Sequence, residues 1–261
     1  MRQVLSGSHP IAAAHRGGSE LWPENTMPAF QGAVDLGFTW IETDLHLTND
    51  GVLVTFHDDT LDRCTDQSGQ IGERSASELE NANAGYEFSI DDGYPYRDER
   101  VSIPTLEEVV TSFPGVNFIL DMKAPGLERH LVEFILRHSL QDRVIVGAFN
   151  DGRIKTFRQL TGGRVATSSG PLETIKVRAK SWVKRPAKTC ADAFQVPVKR
   201  GIRVVDAAFV TAAHKADKHV HVWTINERAE MERLLDLGVD GLITDRPDTL
   251  AEVFRERGLS L

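Results

Sequence analysis

Short apolar runs alternate with helix-like patterns along most of the chain. In order, the runs read IAAAH, FTWIETDLHL, GVLVTFH, GVNFILDMK, RVIVGAFN, GRVATSS, ADAFQVP, HVHVWTIN and DGLITD. Such short apolar runs are typical of strands buried on both faces, and repeated strand-then-helix units predict a parallel sheet. About eight units begin at Ile11, which favours one α/β domain over residues 1–261, a (β/α)8 or TIM barrel.

An open doubly wound sheet is the alternative architecture. Such sheets usually carry a glycine-rich phosphate loop, GxGxxG or GxxxxGK followed by Ser or Thr. The sequence contains neither pattern, so the closed barrel is the preferred interpretation.

Two segments illustrate the helical patterns. From about Thr26 to Leu36 the apolar side chains share one face, and Gly37 is expected to end that helix. A second helix is predicted near Leu106–Phe113. The residues Pro-Glu-Asn-Thr at 23–26 are expected to cap and brace the first helix.

The alternation breaks between Asp58 and Pro104. This stretch is polar, contains four glycines and shows little periodicity. A loop this long in a compact barrel is usually functional. Residues 58–104, between the second strand and the next helix, are therefore predicted to form an insertion over the barrel mouth.

Composition narrows the range of partners. The chain carries 38 Asp and Glu against 30 Lys and Arg, a formal charge of −8, so no overall basic field is available for nucleic acid. Cys64 and Cys190 are too few for a disulfide framework or a zinc cluster. No run approaches the ~18 apolar residues of a membrane span, and the N-terminus lacks a signal-peptide core. We expect a cytoplasmic protein that acts on a small molecule.

Chemistry-bearing side chains concentrate where the predicted strands end. In a parallel barrel these carboxyl ends lie at one mouth, beside the loops that lead into the helices. The opposite strand ends lack a comparable concentration of carboxylate and imidazole. In chain order the carboxyl ends contribute His15 and Arg16, Glu42 and Asp44, His57 and Asp58, Asp121 and Lys123, Phe149 and Asn150, Gln195, Trp223 and Asn226, and Asp245.

Glu42 and Asp44 are the strongest metal candidates. They lie two residues apart on a strand, so both side chains point to one face, where they repel unless a proton or cation lies between them. Asp121 from the next strand is a third candidate ligand, and an all-oxygen site suits Mg²⁺ or Ca²⁺. The alternative is that Glu42 pairs with a lysine such as Lys123 and binds no metal.

His15 and His57 each end an apolar run beside this carboxylate cluster. One imidazole can take a proton from a nucleophile while the other gives a proton to a leaving alkoxide. Arg16 and Lys123 supply positive charge for phosphate oxygens. The glycine pair at 17–18 is expected to leave backbone N–H groups open to an anion.

Other polar and aromatic positions have more than one interpretation. Asn25, Phe149, Gln195 and Trp223 are possible substrate contacts, although an aromatic residue such as Trp223 usually belongs to the core. Asp245, before an Arg-Pro pair, is interpreted mainly as a helix cap.

The stretch from Lys176 to Lys188 is basic within an acidic chain. A solvated helix face is the preferred interpretation. Steering of an anionic substrate and contact with anionic lipid are the alternatives.

Several of these segments match a known family in the right order. AHRGGSELWPENTMPAF resembles the HRG…PENT opening of the glycerophosphodiester phosphodiesterases, within the phospholipase-C-like phosphodiesterase superfamily. IETDLHLTNDGVLVTFHDDTLDRCTDQSG resembles that family's ExD…HD…LxRxT segment, and IPTLEEVV and LDMK continue the match. VHVWTINE and GVDGLITDRPD resemble its C-terminal signature. The resemblance covers nearly the whole chain, from about Ile11 to Asp248.

The resemblance implies a barrel enzyme that uses a divalent cation to hydrolyse glycerophosphodiesters to glycerol 3-phosphate and an alcohol. By position it implies acid–base catalysis by His15 and His57, phosphate contacts from Arg16 and Lys123, and metal binding by Glu42 and Asp44. The family usually has Glu-x-Lys where this chain has Asp-Met-Lys at 121–123. The shorter Asp121 is therefore expected to reach a metal only through water.

Three alternative functions are weighed. A lysophospholipase D or related lipid phosphodiesterase would be favoured by an apolar groove near the insertion. A barrel that binds phosphorylated ligands without turnover is disfavoured, because both histidines and the Glu-x-Asp pair are present. A metal-dependent amidohydrolase would have an HxH on its first strand, where His15 stands alone.

Overall fold

The computed structural model describes residues 2–7, 10–183 and 188–261. Strands and helices alternate along it. The strands are β1 (Ile11–His15), β2 (Trp40–Leu47), β3 (Leu53–Thr55), β4 (Asn117–Met122), β5 (Val144–Gly147), β6 (Ala166–Thr167), β7 (Ala193–Pro197), β8 (Lys199–Arg200), β9 (Ile202–Arg203), β10 (His219–Trp223) and β11 (Gly241–Thr244). The α-helices are α1 (Met27–Asp35), α2 (Ala76–Leu79), α3 (Leu106–Ser112), α4 (Leu127–Arg137), α5 (Asp151–Leu160), α6 (Pro171–Trp182), α7 (Ala207–His214), α8 (Arg228–Asp236) and α9 (Pro247–Glu256).

Eight parallel strands in the described part of the chain form the predicted barrel. Their order is β6-β5-β4-β2-β1-β11-β10-β7. At the seam between β6 and β7, Ser168 pairs with Ala193 in a single parallel bridge, and the Ser169 amide donates to the Ala193 carbonyl at 2.9 Å. The ring is nearly closed, and the prediction of a (β/α)8 barrel is confirmed.

Side chains alternate between the inside and the outside of the barrel. Ala13, Ile119 and Ile145 belong to an inner apolar cluster, to which Val4 and Leu5 of the N-terminal 3₁₀ turn also belong. The residues next to them along the strands belong to the larger cluster beneath the helices. Burial on both faces explains why the strands have nearly continuous apolar sequences.

The predicted helices form, with ends set by local sequence. Thr26 is the N-cap of α1 and its hydroxyl accepts from the Ala29 amide. Gly37, with a φ of +97°, follows the end of α1. Thr105 and Glu108 form a reciprocal capping box at the start of α3. In the described residues no helix is both long and apolar enough to cross a membrane.

The segment 58–104 differs from the rest of the barrel. It contains only the short α2 and two 3₁₀ turns, Ile71–Glu73 and Ile90–Asp92. Leu61 and Ile71 belong to a separate small apolar cluster beside β3, which pairs antiparallel with β2 outside the ring. This insertion therefore has its own packing centre on one side of the barrel.

Candidate active site

Ten of the eleven site residues predicted from the sequence line one cavity of about 780 Å³. The cavity lies at the carboxyl ends of the barrel strands. The ten residues are His15, Arg16, Glu42, Asp44, His57, Asp121, Lys123, Phe149, Gln195 and Trp223.

The two-residue repeat of the strands explains why these side chains meet. On β2, Trp40 belongs to the inner apolar cluster, and Glu42 and Asp44 follow it on the same face. On β4, Ile119 lies in the same cluster and Asp121 follows it, as the register partner of Asp44. The inside of the barrel therefore changes from apolar to charged as the strands approach their carboxyl ends.

His15 is oriented by a carboxylate from the far end of the chain. Its Nδ1 lies 2.6 Å from Asp245 Oδ1, and because a carboxylate only accepts, Nδ1 donates. Its Nε2 lies 3.7 Å from Glu42 Oε2. Burial alone would lower the His15 pKa, but the charges of Glu42 and Asp245 outweigh burial and raise it.

Asp245 therefore has a different role from the helix cap predicted for it. Helix α9 has Arg246 as its N-cap residue, without a side-chain cap. The Asp245 carboxylate instead accepts from His15, Ser19 and Asn226. These hydrogen bonds and the His15 charge outweigh the effect of burial and lower the Asp245 pKa to about 2.

His57 is paired with the residue that follows it. Its Nδ1 lies 2.5 Å from Asp58 Oδ1, and Arg63 Nε donates to Asp58 Oδ2 at 2.6 Å. Despite partial burial, the bonds from Arg63 and His57 lower the Asp58 pKa to about 2. The same Arg63 guanidinium binds both oxygens of Glu24, which accepts from Arg16 at 2.9 Å. Glu24 therefore links two arginines of the site, and these contacts do not reach α1, the helix that it was expected to brace.

Lys123 lies between two of the predicted metal ligands. Its Nζ is 2.9 Å from Asp44 Oδ1 and 2.8 Å from Asp121 Oδ2, and Arg16 Nε is 3.0 Å from Asp44 Oδ2. Burial would raise the Asp44 pKa, but Lys123 and Arg16 outweigh it and lower that pKa. Burial and the Asp44 charge together raise the pKa of Asp121. The sequence also allows a pair between Lys123 and Glu42, but Lys123 pairs with Asp44 and Asp121 instead.

The charge of Glu42 is compensated by fewer cationic side chains than the charge of Asp44. It is buried, and its Oε2 accepts from the Arg16 amide at 3.1 Å. Burial first, and then the charge of Asp44, raise its pKa above the ordinary carboxyl value. A cation beside Glu42 and Asp44 would relieve this repulsion.

The carboxylates have the donor atoms that a hard cation prefers, but their arrangement is not that of a complete metal site. Glu42 and Asp44 offer the oxygen donors that Mg²⁺ and Ca²⁺ prefer. Within the described ranges, however, no three His, Cys, Asp or Glu groups form a cluster that could hold a metal ion. Lys123 would have to release Asp121 before that carboxylate could serve, so the role of Asp121 as a ligand stays a prediction.

The glycine pair at 17–18 corrects a sequence expectation. The Gly17 amide donates to the Ala14 carbonyl at 3.3 Å and the Gly18 amide to the His15 carbonyl at 2.8 Å, so neither N–H is open to an anion. Both residues have positive φ, and a Cβ on Gly18 would lie 2.7 Å from the Pro247 ring. Tight packing and backbone conformation account for both glycines.

Asn25 is the predicted site residue that the cavity lining does not include. It is buried, its Nδ2 donates to Asp44 Oδ2 at 3.0 Å, and its Oδ1 accepts from Thr43. Its position is suited to holding Asp44 in place.

The aromatic candidates form one wall of the cavity. The rings of Phe149 and Trp223 meet edge to face at 5.5 Å, and Lys123 Nζ lies 5.3 Å from the centre of the Phe149 ring. Trp223 also packs against the inner apolar cluster, as expected of a core aromatic residue, and its role as a substrate contact stays a prediction. Gln195 Nε2 lies 3.4 Å from His221 Nδ1.

The cavity extends away from the carboxylates along α6 and the β8–β9 hairpin. This part is mostly apolar and includes Ile175, Trp182 and Ile202. None of the lining residues comes from the described segment 58–104, so the prediction that this insertion covers the mouth stays a prediction. Of the basic stretch, residues 184–187 lie outside the described residues.

Comparisons with known proteins show what this chain resembles. Residues 15–249 match the family model described as the glycerophosphoryl diester phosphodiesterase family. A Mycobacterium tuberculosis protein named "Probable glycerophosphodiester phosphodiesterase 2" is 35% identical over 95% of this chain and 92% of its own length. The glycerophosphodiester phosphodiesterase of Caldanaerobacter subterraneus is 30% identical over 95% of this chain and 99% of its own length. The solved structure of an Oleispira antarctica phosphodiesterase in complex with the product sn-glycerol-3-phosphate has a TM-score of 0.78 at 25% identity, over 95% of this chain and 97% of that chain.

Proposed function

Because the chain belongs to the glycerophosphoryl diester phosphodiesterase family, we propose that it hydrolyses glycerophosphodiesters to glycerol 3-phosphate and an alcohol in a cation-dependent reaction. One observation carries the proposal. Two carboxylate-oriented imidazoles, those of His15 and His57, line a single cavity together with two cationic side chains, Arg16 and Lys123.

Substrate binding is assigned to the cationic side of the cavity. Arg16 and Lys123 would contact the phosphate oxygens and stabilise the charge that develops on them. Phe149 and Trp223 would border the part of the cavity that receives the alcohol, and a choline-like cation could lie against their rings.

Glu42 and Asp44 would hold the divalent cation, Mg²⁺ or Ca²⁺. When bound there, such a cation supplies charge neutralisation at the phosphate and lowers the pKa of a coordinated hydroxyl. Two hydrogen bonds that hold these carboxylates support the proposal: Asn25 donates to Asp44, and the Arg16 amide donates to Glu42.

The two histidines would exchange protons with the reacting groups. Nδ1 of each imidazole is occupied by a carboxylate, so Nε2 is the nitrogen available for transfer. One histidine takes the proton of the attacking hydroxyl, and the other protonates the departing alkoxide.

The attacking group is proposed to belong to the substrate. The hydroxyl on the carbon next to the phosphate-bearing carbon forms a new O–P bond, and the bond from phosphorus to the alcohol oxygen breaks. Water then opens the resulting cyclic phosphate while the two histidines exchange roles. The Cys64 thiol is poorly suited as a protein nucleophile, because burial raises its pKa to about 12. Direct attack by water is the competing route.

Turnover measurements with a chosen set of substrates test the proposal. Glycerophosphocholine and glycerophosphoethanolamine should be hydrolysed with Mg²⁺, Ca²⁺ or Mn²⁺ and left intact with a chelator. Absence of hydrolysis under every metal condition would overturn the function. An analogue without the adjacent glycerol hydroxyl should bind and resist turnover, whereas near-normal kcat on it would favour direct attack by water.

The apolar part of the cavity lies along α6 and the β8–β9 hairpin and not beside the insertion, where such a groove was expected. It supports a second candidate, a lysophospholipase D or related lipid phosphodiesterase. Ile175, Trp182 and Ile202 line the cavity and could contact an acyl chain. Lysophosphatidylcholine belongs in the same assay. A kcat/KM for it well above that for glycerophosphocholine would favour the lipid substrate.

A further inference from the structure

Large apolar side chains are exposed around the outer end of the cavity. Phe149, Ile175, Trp182 and Ile202 line the cavity and keep 52%, 61%, 57% and 52% of their surface accessible. Monomeric proteins seldom expose apolar side chains in such groups without a partner. We call the following six residues the apolar rim: Phe149, Leu172, Ile175, Trp182, Val183 and Ile202.

Helix α6 presents part of this rim on a face of its own. Its buried face includes Val177 and Arg178, and Arg178 forms a two-pronged ion pair with Asp206 at 2.6 and 2.9 Å. At about 100° per residue, Ile175 and Trp182 lie roughly 140–160° around the helix from Val177. Arg178 lies one turn from both, with its guanidinium 4.7 Å from the centre of the Trp182 ring. The ion pair to Asp206 at the start of α7 therefore fixes the helix with an apolar stripe outward.

Positive charge borders the rim although the chain as a whole is acidic. Lys176 and Lys180 lie beside the apolar stripe on α6, and Lys199 and Arg200 lie on the β8–β9 hairpin. All four are exposed, and the described residues offer none of them an ion-pair partner. Arg200 lies 5.9 Å from the centre of the Phe149 ring, which joins the hairpin to the cavity.

Two of the nearby carboxylates have cationic partners of their own, and a third, Asp151, accepts from the Leu172 amide at 3.1 Å. Glu173 on α6 pairs with Arg158 at 2.9 Å, and Asp192 pairs with Arg2 at 3.4 Å. The rim therefore combines exposed apolar side chains with four cations that form no ion pair among the described residues.

We propose that the apolar rim and its four bordering cations dock the barrel mouth onto an anionic lipid surface. Apolar side chains enter the boundary between headgroups and acyl chains, while lysine and arginine side chains reach the lipid phosphates. A second copy of this chain would bring the same positive charges against the rim and repel it. Docking in this way would open the active-site cavity towards the lipid, and it does not depend on which diester is hydrolysed.

Vesicle co-sedimentation of the full chain tests the proposal. The probes are vesicles of phosphatidylcholine alone and of phosphatidylcholine with about one third phosphatidylglycerol. Binding should be at least tenfold tighter to the anionic vesicles, and this preference should fall steeply between roughly 0.02 and 0.5 M salt because exposed charges are screened.

Two sets of variants separate the apolar and charged contributions. Ile175→Ser with Ile202→Ser, and separately Lys176→Gln with Lys180→Gln, should each weaken binding to anionic vesicles by tenfold or more. Ile90→Ser with Leu136→Ser removes exposed apolar side chains outside the rim and should leave vesicle binding unchanged. Thermal unfolding of every variant checks that the fold is kept.

Three outcomes would overturn the proposal. They are absence of binding to anionic vesicles, equal binding by the rim variants and wild type, and a rim-dependent dimer in sedimentation velocity without lipid binding.

Discussion

At the scale of single residues, the site is organised as pairs of opposite charge. His15 with Asp245 and His57 with Asp58 are the pairs on which the proposed proton transfer depends. In the proposed mechanism each carboxylate would hold Nδ1 and leave Nε2 for the substrate, in the way that catalytic triads use an aspartate.

Asp245→Asn should impair catalysis without removing the substrate contacts. We expect kcat to fall on the order of 10²–10⁴-fold, because Nδ1 of His15 loses its anionic partner. The Asp245 charge helps to raise the His15 pKa, so the limb of the kcat/KM profile that His15 controls should move to lower pH. Asp248→Asn, which disrupts an exposed pair with Arg246, is the matched control. An unchanged kcat and profile in Asp245→Asn would contradict the assignment.

Glu42→Gln and Asp44→Asn should both abolish cation binding and most activity, yet differ in stability. Asp44 compensates Arg16 and Lys123, so Asp44→Asn should cost about 3–5 kcal/mol of unfolding free energy. Glu42→Gln removes a repelling charge and should change stability by less than about 1 kcal/mol. Urea unfolding in chelator and calorimetric cation titration measure the two effects. The opposite order of stabilities, or unchanged cation affinity in both variants, would refute this.

Cation affinity should increase with pH between about pH 5 and pH 8. Burial and Asp44 raise the Glu42 pKa, so a proton competes with the cation over a range in which an ordinary carboxyl is already ionised. The folded protein binds this proton more tightly than the unfolded chain does. The cation-free protein therefore loses stability as pH rises through the raised Glu42 pKa. Titrations in buffers of different ionisation enthalpy measure the proton released. Affinity independent of pH, with no proton release, would contradict the role given to Glu42.

The histidines were predictable from the sequence, but not all of their partners were. His57 and Asp58 are neighbours, whereas Asp245 lies 230 positions from His15 and meets it only because β1 pairs with β11. Its position before Arg-Pro also fits a helix cap, and local sequence does not distinguish the two roles.

At the scale of elements, the strand ends were the most reliable guide. A buried parallel strand alternates its side chains between two fixed faces, so Glu42 and Asp44 had to share the inner face of β2. Loops were less predictable. The amides at 17–18 are used within a turn whose glycines also pack against α1 and Pro247, and the sequence shows only that glycines are present.

Gly18→Ala tests this interpretation of the first loop. We expect a loss of about 1–3 kcal/mol of unfolding free energy, because alanine disfavours a φ of +109° and its Cβ would meet the Pro247 ring at 2.7 Å. Gly115→Ala is the control, since no atom lies within 4 Å of a Cβ built there and its φ is not positive. Equal stabilities of the two variants in urea unfolding would contradict the packing role.

At the scale of the whole molecule, the repeat of strand and helix was enough to predict the barrel. Eight apolar runs with helices between them leave few other ways to bury a parallel sheet on both faces. The apolar rim was not predicted as a surface, because Phe149, α6 and the β8–β9 hairpin come together only in the folded barrel. From the sequence alone, the apolar residues in these segments could equally belong to the buried core.

Product analysis by phosphorus NMR tests the central claim most directly. Glycerophosphocholine incubated with the protein and a divalent cation should give glycerol 3-phosphate and choline. Product formation should be lost with a chelator and in His15→Asn and His57→Asn, provided that both variants keep wild-type thermal unfolding. Formation of phosphocholine and glycerol, or an undiminished rate in both histidine variants, would contradict a phosphodiesterase that works through His15 and His57.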